Sequence, residues 1–300
     1  MGVVRTSIIA LMITLAVVSA TAVLAKGKSA LTPVRVDPKE IESEIESRGY
    51  VVMDRATGTI LTVKNENMVW PIASLTKLMT ASVVLDAKVP LTRIANVKTV
   101  DNVGGAQLLM NDGDTISVAD LFYSTLVASA NNAANALART TGLSKKEFVA
   151  KMNAQAAAAG LTRTTFADPT GIETGNVSTP LELAQFARTV FARKEIQTYT
   201  TTAIRNVRVV NTGAKKKLTN TNWMLWKPQY DDVWVTGGKT GYLEESGWNL
   251  VVNLKQNQKD ERELLVVLFG ASSRANSFVD ANRLADWAWS VYDWKQIDAL

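Results

Sequence analysis

The chain has no histidine and no cysteine in 300 residues. The first absence excludes a Ser-His-Asp triad and any His-ligated metal site; the second excludes thiol nucleophiles, disulfides and thiolate zinc sites. A base serving a serine nucleophile must then be a lysine, a carboxylate or a tyrosine. Strong charge is missing too, since 33 basic against 28 acidic residues leave a formal +5. The one basic run, Lys215-Lys216-Lys217, reads as a solvated hairpin turn and not as a nucleic-acid surface. Internal repeats and low-complexity segments are lacking as well. What remains is the balance of a packed globular protein, 47% hydrophobic and 20% charged, which excludes disorder for most of the chain.

Arg5 precedes an apolar run from Ile8 to Leu24, with Ala20, Ala22 and Ala25 near its end and Lys26 after it. A positive start, an apolar middle and small residues at minus one and minus three read as a secretory signal peptide over residues 1–25. A run of this length just spans a bilayer, so an uncleaved N-terminal anchor is the alternative. Either version sends the protein out of the cytoplasm. Residues 26–46, polar and with Pro33 and Pro38, read as a linker followed by a short charged helix. The globular part, 47–300, has its first strand near Tyr50.

From there Tyr50 to Met53 and Thr59 to Val63 form a hairpin around Gly58, and Pro71-Ile72 lead into a helix reaching about Ala87. Ser117, with Asp120 three residues on, opens a helix that turns at Ser129-Ala130-Asn131 and resumes at once. Further helices start at Ser144 and at Thr179-Pro180, the second with proline in its first turn. From Ile204 the pattern is β: Arg205 to Asn211, Lys217 to Thr221, Thr236 to Thr240, then an antiparallel pair, Trp248 to Leu254 and Glu263 to Phe269. A closing helix spans Ser277 to Tyr292. This order predicts an α+β fold, an antiparallel sheet flanked by helices with an all-α cluster inserted between its strands.

Three short stretches carry chemistry. Ser74 and Lys77 stand one helical turn apart, a hydroxyl beside an amine, and no other serine has a lysine at that spacing. A serine near a helix N-terminus has a free backbone N–H and a favourable macrodipole, half of an oxyanion hole. Lys77 serves as base only when neutral, which near pH 7 requires its pKa to fall by about three units, roughly 4 kcal/mol. Burial and a second cation, Lys239, are the expected causes. Ser129 and Asn131 sit at a helix corner, where short polar side chains also serve simply as caps. Lys239-Thr240-Gly241, preceded by Gly237-Gly238, reads either as a blocked strand edge or as a backbone open to a peptide, with an ammonium and a hydroxyl for its carboxylate.

Taken together, these stretches resemble the serine D-alanyl-D-alanine carboxypeptidases and their endopeptidase relatives, the low-molecular-mass penicillin-binding proteins. PIASLTKLMTA, SANNAANALA, TTFADPTGIETGNVSTPLELAQFAR, Asn220-Thr221-Asn222, GGKTGY and VVLFGASS all carry the likeness, which spans Tyr50 to Trp289. The resemblance implies a transpeptidase and β-lactamase-like fold, no metal or organic cofactor, and peptidoglycan stem peptides as substrate. Ser74 would attack the penultimate D-alanine carbonyl, Lys77 would take its proton, and Ser129 would relay a proton to the leaving amine. Asn131 would position substrate and lysine, Lys239 and Thr240 would hold the carboxylate, and Gly241 would leave room for the peptide. The N–H groups of Ser74 and Tyr242 would form the oxyanion hole, and β-lactams would acylate Ser74 persistently. The periplasm or the outer face of the cytoplasmic membrane is the implied location.

Three departures from the family pattern stand out. The arginine expected before the last helix aligns with Ser277, leaving Arg274 as a possible substitute; Asn132 stands where an acid is common; and the chain stops after the closing helix, as endopeptidase members do. Endopeptidase action on crosslinks is therefore the alternative to removal of a terminal D-alanine. A class A β-lactamase, with Glu173 near its loop position, and a non-catalytic binding protein are the remaining readings.

Overall fold

Strand Leu264–Ala271 (LLVVLFGA) has no charged or hydroxyl side chain and is buried along its whole length. Such a strand is apolar on both faces and belongs inside a sheet covered by helices. The computed structural model, which describes residues 31–41 and 44–295, places it centrally among five antiparallel strands. Their spatial order is Trp234–Leu243, Gly247–Lys255, Leu264–Ala271, Gly49–Asp54, Ile60–Lys64. Val267 pairs with Val251 and Val51, and Val266 with Val252 and Val52. The pleat thus sends Val51, Met53, Val251, Leu265 and Val267 to one core and Tyr50, Val52, Leu250, Val252 and Val266 to another.

The first core is completed by six helices inserted between strands Ile60–Lys64 and Trp234–Leu243: Lys77–Asp86 (α1), Val118–Leu126 (α2), Asn131–Arg139 (α3), Lys145–Ala158 (α4), Pro180–Val190 (α5) and Lys194–Thr200 (α6). The second is closed by Arg274–Val291 (α7), through Phe278, Leu284, Trp287 and Val291. This is the expected α+β arrangement. Helix starts follow local chemistry: Ser117 accepts from the Asp120 N–H, Ser144 and Glu147 form a reciprocal capping box, and Thr179 caps α5 ahead of Pro180. The Asp120 carboxylate does not return to Ser117; it accepts from the Arg208 N–H at 3.1 Å.

Several local expectations are corrected. Thr32–Arg35, read as linker, is a strand paired antiparallel with Tyr292–Lys295. The charged helix expected before residue 46 is absent among the described residues: Arg35 gathers the carbonyls of Asp37, Pro38 and Lys39, and the Lys64 ammonium takes those of Ile45 and Ser47. Those carbonyls are bound from outside, so no helical ladder forms. Lys215–Lys217 is not a turn but part of strand Lys215–Thr219, paired with Ile204–Arg208, with the turn made around Gly213 at φ 76°. Helix α7 begins at Arg274, three residues earlier than expected, because Ser273 caps it. The apolar run of residues 8–24 lies outside the described residues, among which no helix is long and apolar enough to cross a membrane.

Candidate active site

Pro71 and Ile72 enter a 3-10 turn, Ala73–Thr76, that runs directly into α1. Ala73 holds φ 50°, a left-handed value that costs a non-glycine residue about 1–3 kcal/mol. Two glycines make the strained turn possible. A Cβ on Gly171 would lie 1.9 Å from the Ala73 carbonyl oxygen and 3.0 Å from the Ser74 nitrogen, and one on Gly241 would lie 2.8 Å from the Ile72 oxygen. Backbone from two distant segments therefore grips the peptide units on either side of Ala73, with Ser74 presented at the cleft.

Lys77, the first residue of α1, has no exposed surface. Its Nζ lies 2.7 Å from Ser74 Oγ, 2.7 Å from Asn131 Oδ1 and 2.7 Å from the Thr170 carbonyl oxygen. The last two partners only accept hydrogen bonds. A neutral amine has two N–H groups and one lone pair, so those acceptors take both N–H groups and the lone pair is left facing the Ser74 hydroxyl. Asn131 is fixed in the required orientation because its Nδ2 donates to the Gly104 carbonyl at 2.8 Å. Burial pushes the Lys77 pKa down to about 7, against an opposing pull from the Asp168 carboxylate. The sequence reading attributed part of that fall to Lys239; burial is the principal cause. The two ammonium groups do repel, and the effect appears on Lys239, held well below its ordinary value by burial first and then by Lys77 and Arg274.

Lys239 lies in the edge strand Trp234–Leu243 and is buried. Its Nζ donates to Ser129 Oγ at 2.9 Å and to the Thr240 carbonyl at 2.7 Å. Ser129 sits between α2 and α3 at φ 58°, a second left-handed non-glycine residue. With its oxygen occupied by the lysine, the Ser129 proton is free to point into the cleft. Thr240 Oγ1 meets Thr221 Oγ1 at 2.7 Å.

Ser74, Ser129, Asn131, Thr240, Gly241 and Tyr242 line one cavity of about 290 Å³, and Lys77 and Lys239 lie directly behind it. All eight residues singled out from the sequence are thus brought together. Four contributors were missed or left open. Thr170 acts through a carbonyl, Gly171 through its lack of a side chain and Gly104 through a carbonyl, none of which leaves a side-chain signal. Arg274, the fourth, lines the same cavity, packs over Trp223 and Trp248 at 4.7 and 5.6 Å, and donates to the Thr221 carbonyl at 2.6 Å. Ser277, by contrast, is buried and bonds back to the Arg274 carbonyl. The N-cap at Ser273 was the sequence signal that would have put Arg274 at the helix mouth. Asn132 braces the 104–108 segment by accepting from the Leu108 N–H and donating to its carbonyl. Glu173 is half exposed and paired with Lys145 at 2.9 Å.

The chain is similar to several known proteins. The chain is 31% identical over 249 residues to a D-alanyl-D-alanine endopeptidase of Pseudomonas aeruginosa, covering 82% of this chain and 78% of that one. It is 31% identical over 255 residues to the D-alanyl-D-alanine carboxypeptidase DacF of Bacillus subtilis, covering 83% of this chain but 63% of that one. The crystal structure of the Streptomyces K15 DD-transpeptidase superposes with a TM-score of 0.75 at 26% identity, over 83% of this chain and 98% of that one. Residues 35–273 match the family described as D-alanyl-D-alanine carboxypeptidase. With most of its length matched, the chain belongs to the D-alanyl-D-alanine carboxypeptidase family of serine peptidases.

Proposed function

We propose that the protein is a serine DD-carboxypeptidase that removes the terminal D-alanine of peptidoglycan stem peptides through an acyl-enzyme on Ser74. The observation that carries this is the buried Lys77 Nζ lying 2.7 Å from Ser74 Oγ, Asn131 Oδ1 and the Thr170 carbonyl; once the amine is neutral, the last two take its N–H groups and its lone pair meets the Ser74 hydroxyl. The substrate lies extended along the free edge of Trp234–Leu243, its carboxylate toward Lys239, Thr240 and Arg274. An incoming carboxylate charges Lys239, and repulsion between the lysines then favours neutral Lys77. Lys77 takes the Ser74 proton as Oγ attacks the penultimate carbonyl, and the Ser74 and Tyr242 N–H groups receive the oxyanion. Ser129, polarised by Lys239, passes a proton to the departing amine. Water then attacks the ester and frees the shortened peptide. No step calls on a metal or organic cofactor.

A peptidoglycan substrate places the working enzyme outside the cytoplasm, and we assign it to the periplasm or the outer face of the cytoplasmic membrane, delivered by the residue 1–25 segment as cleaved signal or retained anchor. β-Lactams carry a reactive amide beside a carboxylate and fit the same contacts, so they acylate Ser74. The β-lactamase reading lacks support, since the acid it needs, Glu173, is held outward by Lys145. Endopeptidase action is a second reading, favoured by the coverage of the Pseudomonas relative. Purified protein is incubated with fluorescent penicillin and with defined muropeptides. Lasting label on Ser74 with D-alanine released from monomeric pentapeptide is the expected result; conversion of dimers to monomers without that release would replace carboxypeptidase by endopeptidase.

A further inference from the structure

We propose that Asp168 is a positioning residue for acylation: it folds the 168–176 turn that holds the Thr170 carbonyl against Lys77, and so aims the amine at Ser74. The proposal rests on the assignment of Lys77 as base.

Asp168 is 1% exposed, and every hydrogen-bond partner of its carboxylate is uncharged. Oδ1 accepts from the Thr170 N–H at 2.6 Å, the Thr170 hydroxyl at 2.5 Å and the Gly171 N–H at 3.0 Å. Oδ2 accepts from the Glu173 N–H at 2.9 Å and Asn176 Nδ2 at 2.7 Å. Burial by itself would raise the carboxyl's pKa; the bonds from Thr170, Glu173 and Asn176 outweigh it and keep the group ionised. The turn so formed lays consecutive backbone groups on the catalytic helix. The Pro169 carbonyl accepts from Thr80 at 2.6 Å, the Thr170 carbonyl accepts from Lys77 at 2.7 Å, and Gly171 lies against Ala73. Asn176 completes the clamp by accepting the Ile72 N–H at 2.9 Å. One carboxylate therefore sets the position of three consecutive residues that touch helix α1, its lysine and the turn before it.

Its charge has a second use. Lys77 is faced by one cation, Lys239 from the edge strand, and by Asp168 from the turn; Arg274 of α7 acts on Lys239, and the remaining neighbours, Ser74 and Asn131, are neutral. Burial lowers the basicity of Lys77, and the Asp168 carboxylate opposes that fall. The Asp168 field restores part of that basicity while the turn's carbonyl keeps the lone pair directed.

Asp168→Asn removes the charge and presents an N–H where Glu173 and Asn176 offer donors. The rate of Ser74 acylation by fluorescent penicillin is measured across pH for wild type and variant. The plateau is expected to drop by about tenfold or more, and the acid limb, set by Lys77 losing its proton, to move down by about one pH unit. A purely structural role would lower the active fraction and leave the limb in place, and that result overturns the proposal. Should Asp168→Asn fail to fold, Thr170→Val keeps the charge and breaks the 2.5 Å bond; a lower plateau with an unmoved limb is expected, and a wild-type plateau overturns the positioning role. Absence of label on wild type would instead remove the nucleophile assignment itself.

Discussion

Helix α1 carries a charged or chargeable side chain at each end, and the fold treats the two in opposite ways. At its start Lys77 is sealed from solvent among uncharged acceptors. At its end Asp86 is half exposed and meets Arg193 at 2.7 Å and Gln155 at 2.6 Å. The cavity at the far end is also the roomier, about 830 Å³ against about 290 Å³ at the cleft. Volume therefore does not mark the reactive end. The mark is a titratable group stripped of water and denied a counter-charge in direct contact, since only such a group has its pKa moved into a working range. Asp86 is instead paired with Arg193 and partly open to solvent.

The contrast can be broken most forcefully at Lys77. Lys77→Arg keeps a cation that cannot release its proton at working pH, and penicillin acylation of Ser74 should fall by about 10²–10⁴-fold; a labelling rate near wild type would show that Lys77 is not the base. Next in size is Gly171→Ala. The added carbon meets the Ala73 carbonyl at 1.9 Å and demands φ +84° of an alanine, so a stability loss of about 2–4 kcal/mol is expected. Thermal unfolding measures it, and an unchanged midpoint would mean that the two backbones do not touch as described. Smallest is Asp86→Asn at the other end. A partly exposed pair contributes about 0–1 kcal/mol, so urea midpoints should differ little and the difference should shrink in high salt, with acylation untouched. A loss of acylation comparable to that of Lys77→Arg would erase the distinction between the ends.

The sequence was most legible where side-chain identity alone sets the chemistry. Ser74, Lys77, Ser129, Asn131 and Lys239 carry distinctive side chains, so their spacing and order were informative, and the fold brings them to one cleft. The strands Gly49–Asp54, Gly247–Lys255 and Leu264–Ala271 were equally plain, because doubly covered strands are dominated by apolar residues on both faces. Illegible were contributions of the main chain. The Thr170 and Gly104 carbonyls that orient Lys77 and Asn131 are common to every residue type. Arg274 was left undecided because a helix start misplaced by three residues moved the expected arginine position to Ser277. The pairing of Thr32–Arg35 with Tyr292–Lys295 joins segments far apart in the chain, and a four-residue strand with one proline carries almost no local pattern. Lys215–Lys217 misled for a related reason: its strand belongs to a separate two-stranded ribbon, mostly exposed, where lysines meet no buried face.

The strand that holds Lys239 ends its sheet, so its outer backbone groups are open to any extended chain. In most proteins such a margin invites self-association and is blunted by bulges or projecting charge. Here Gly241 packs against the Ile72–Ser74 backbone and Lys239 reaches Ser129 at the α2–α3 corner, so the open margin is tied to both parts of the cleft. A chain that paired along it would run beside Ser74 and Ser129.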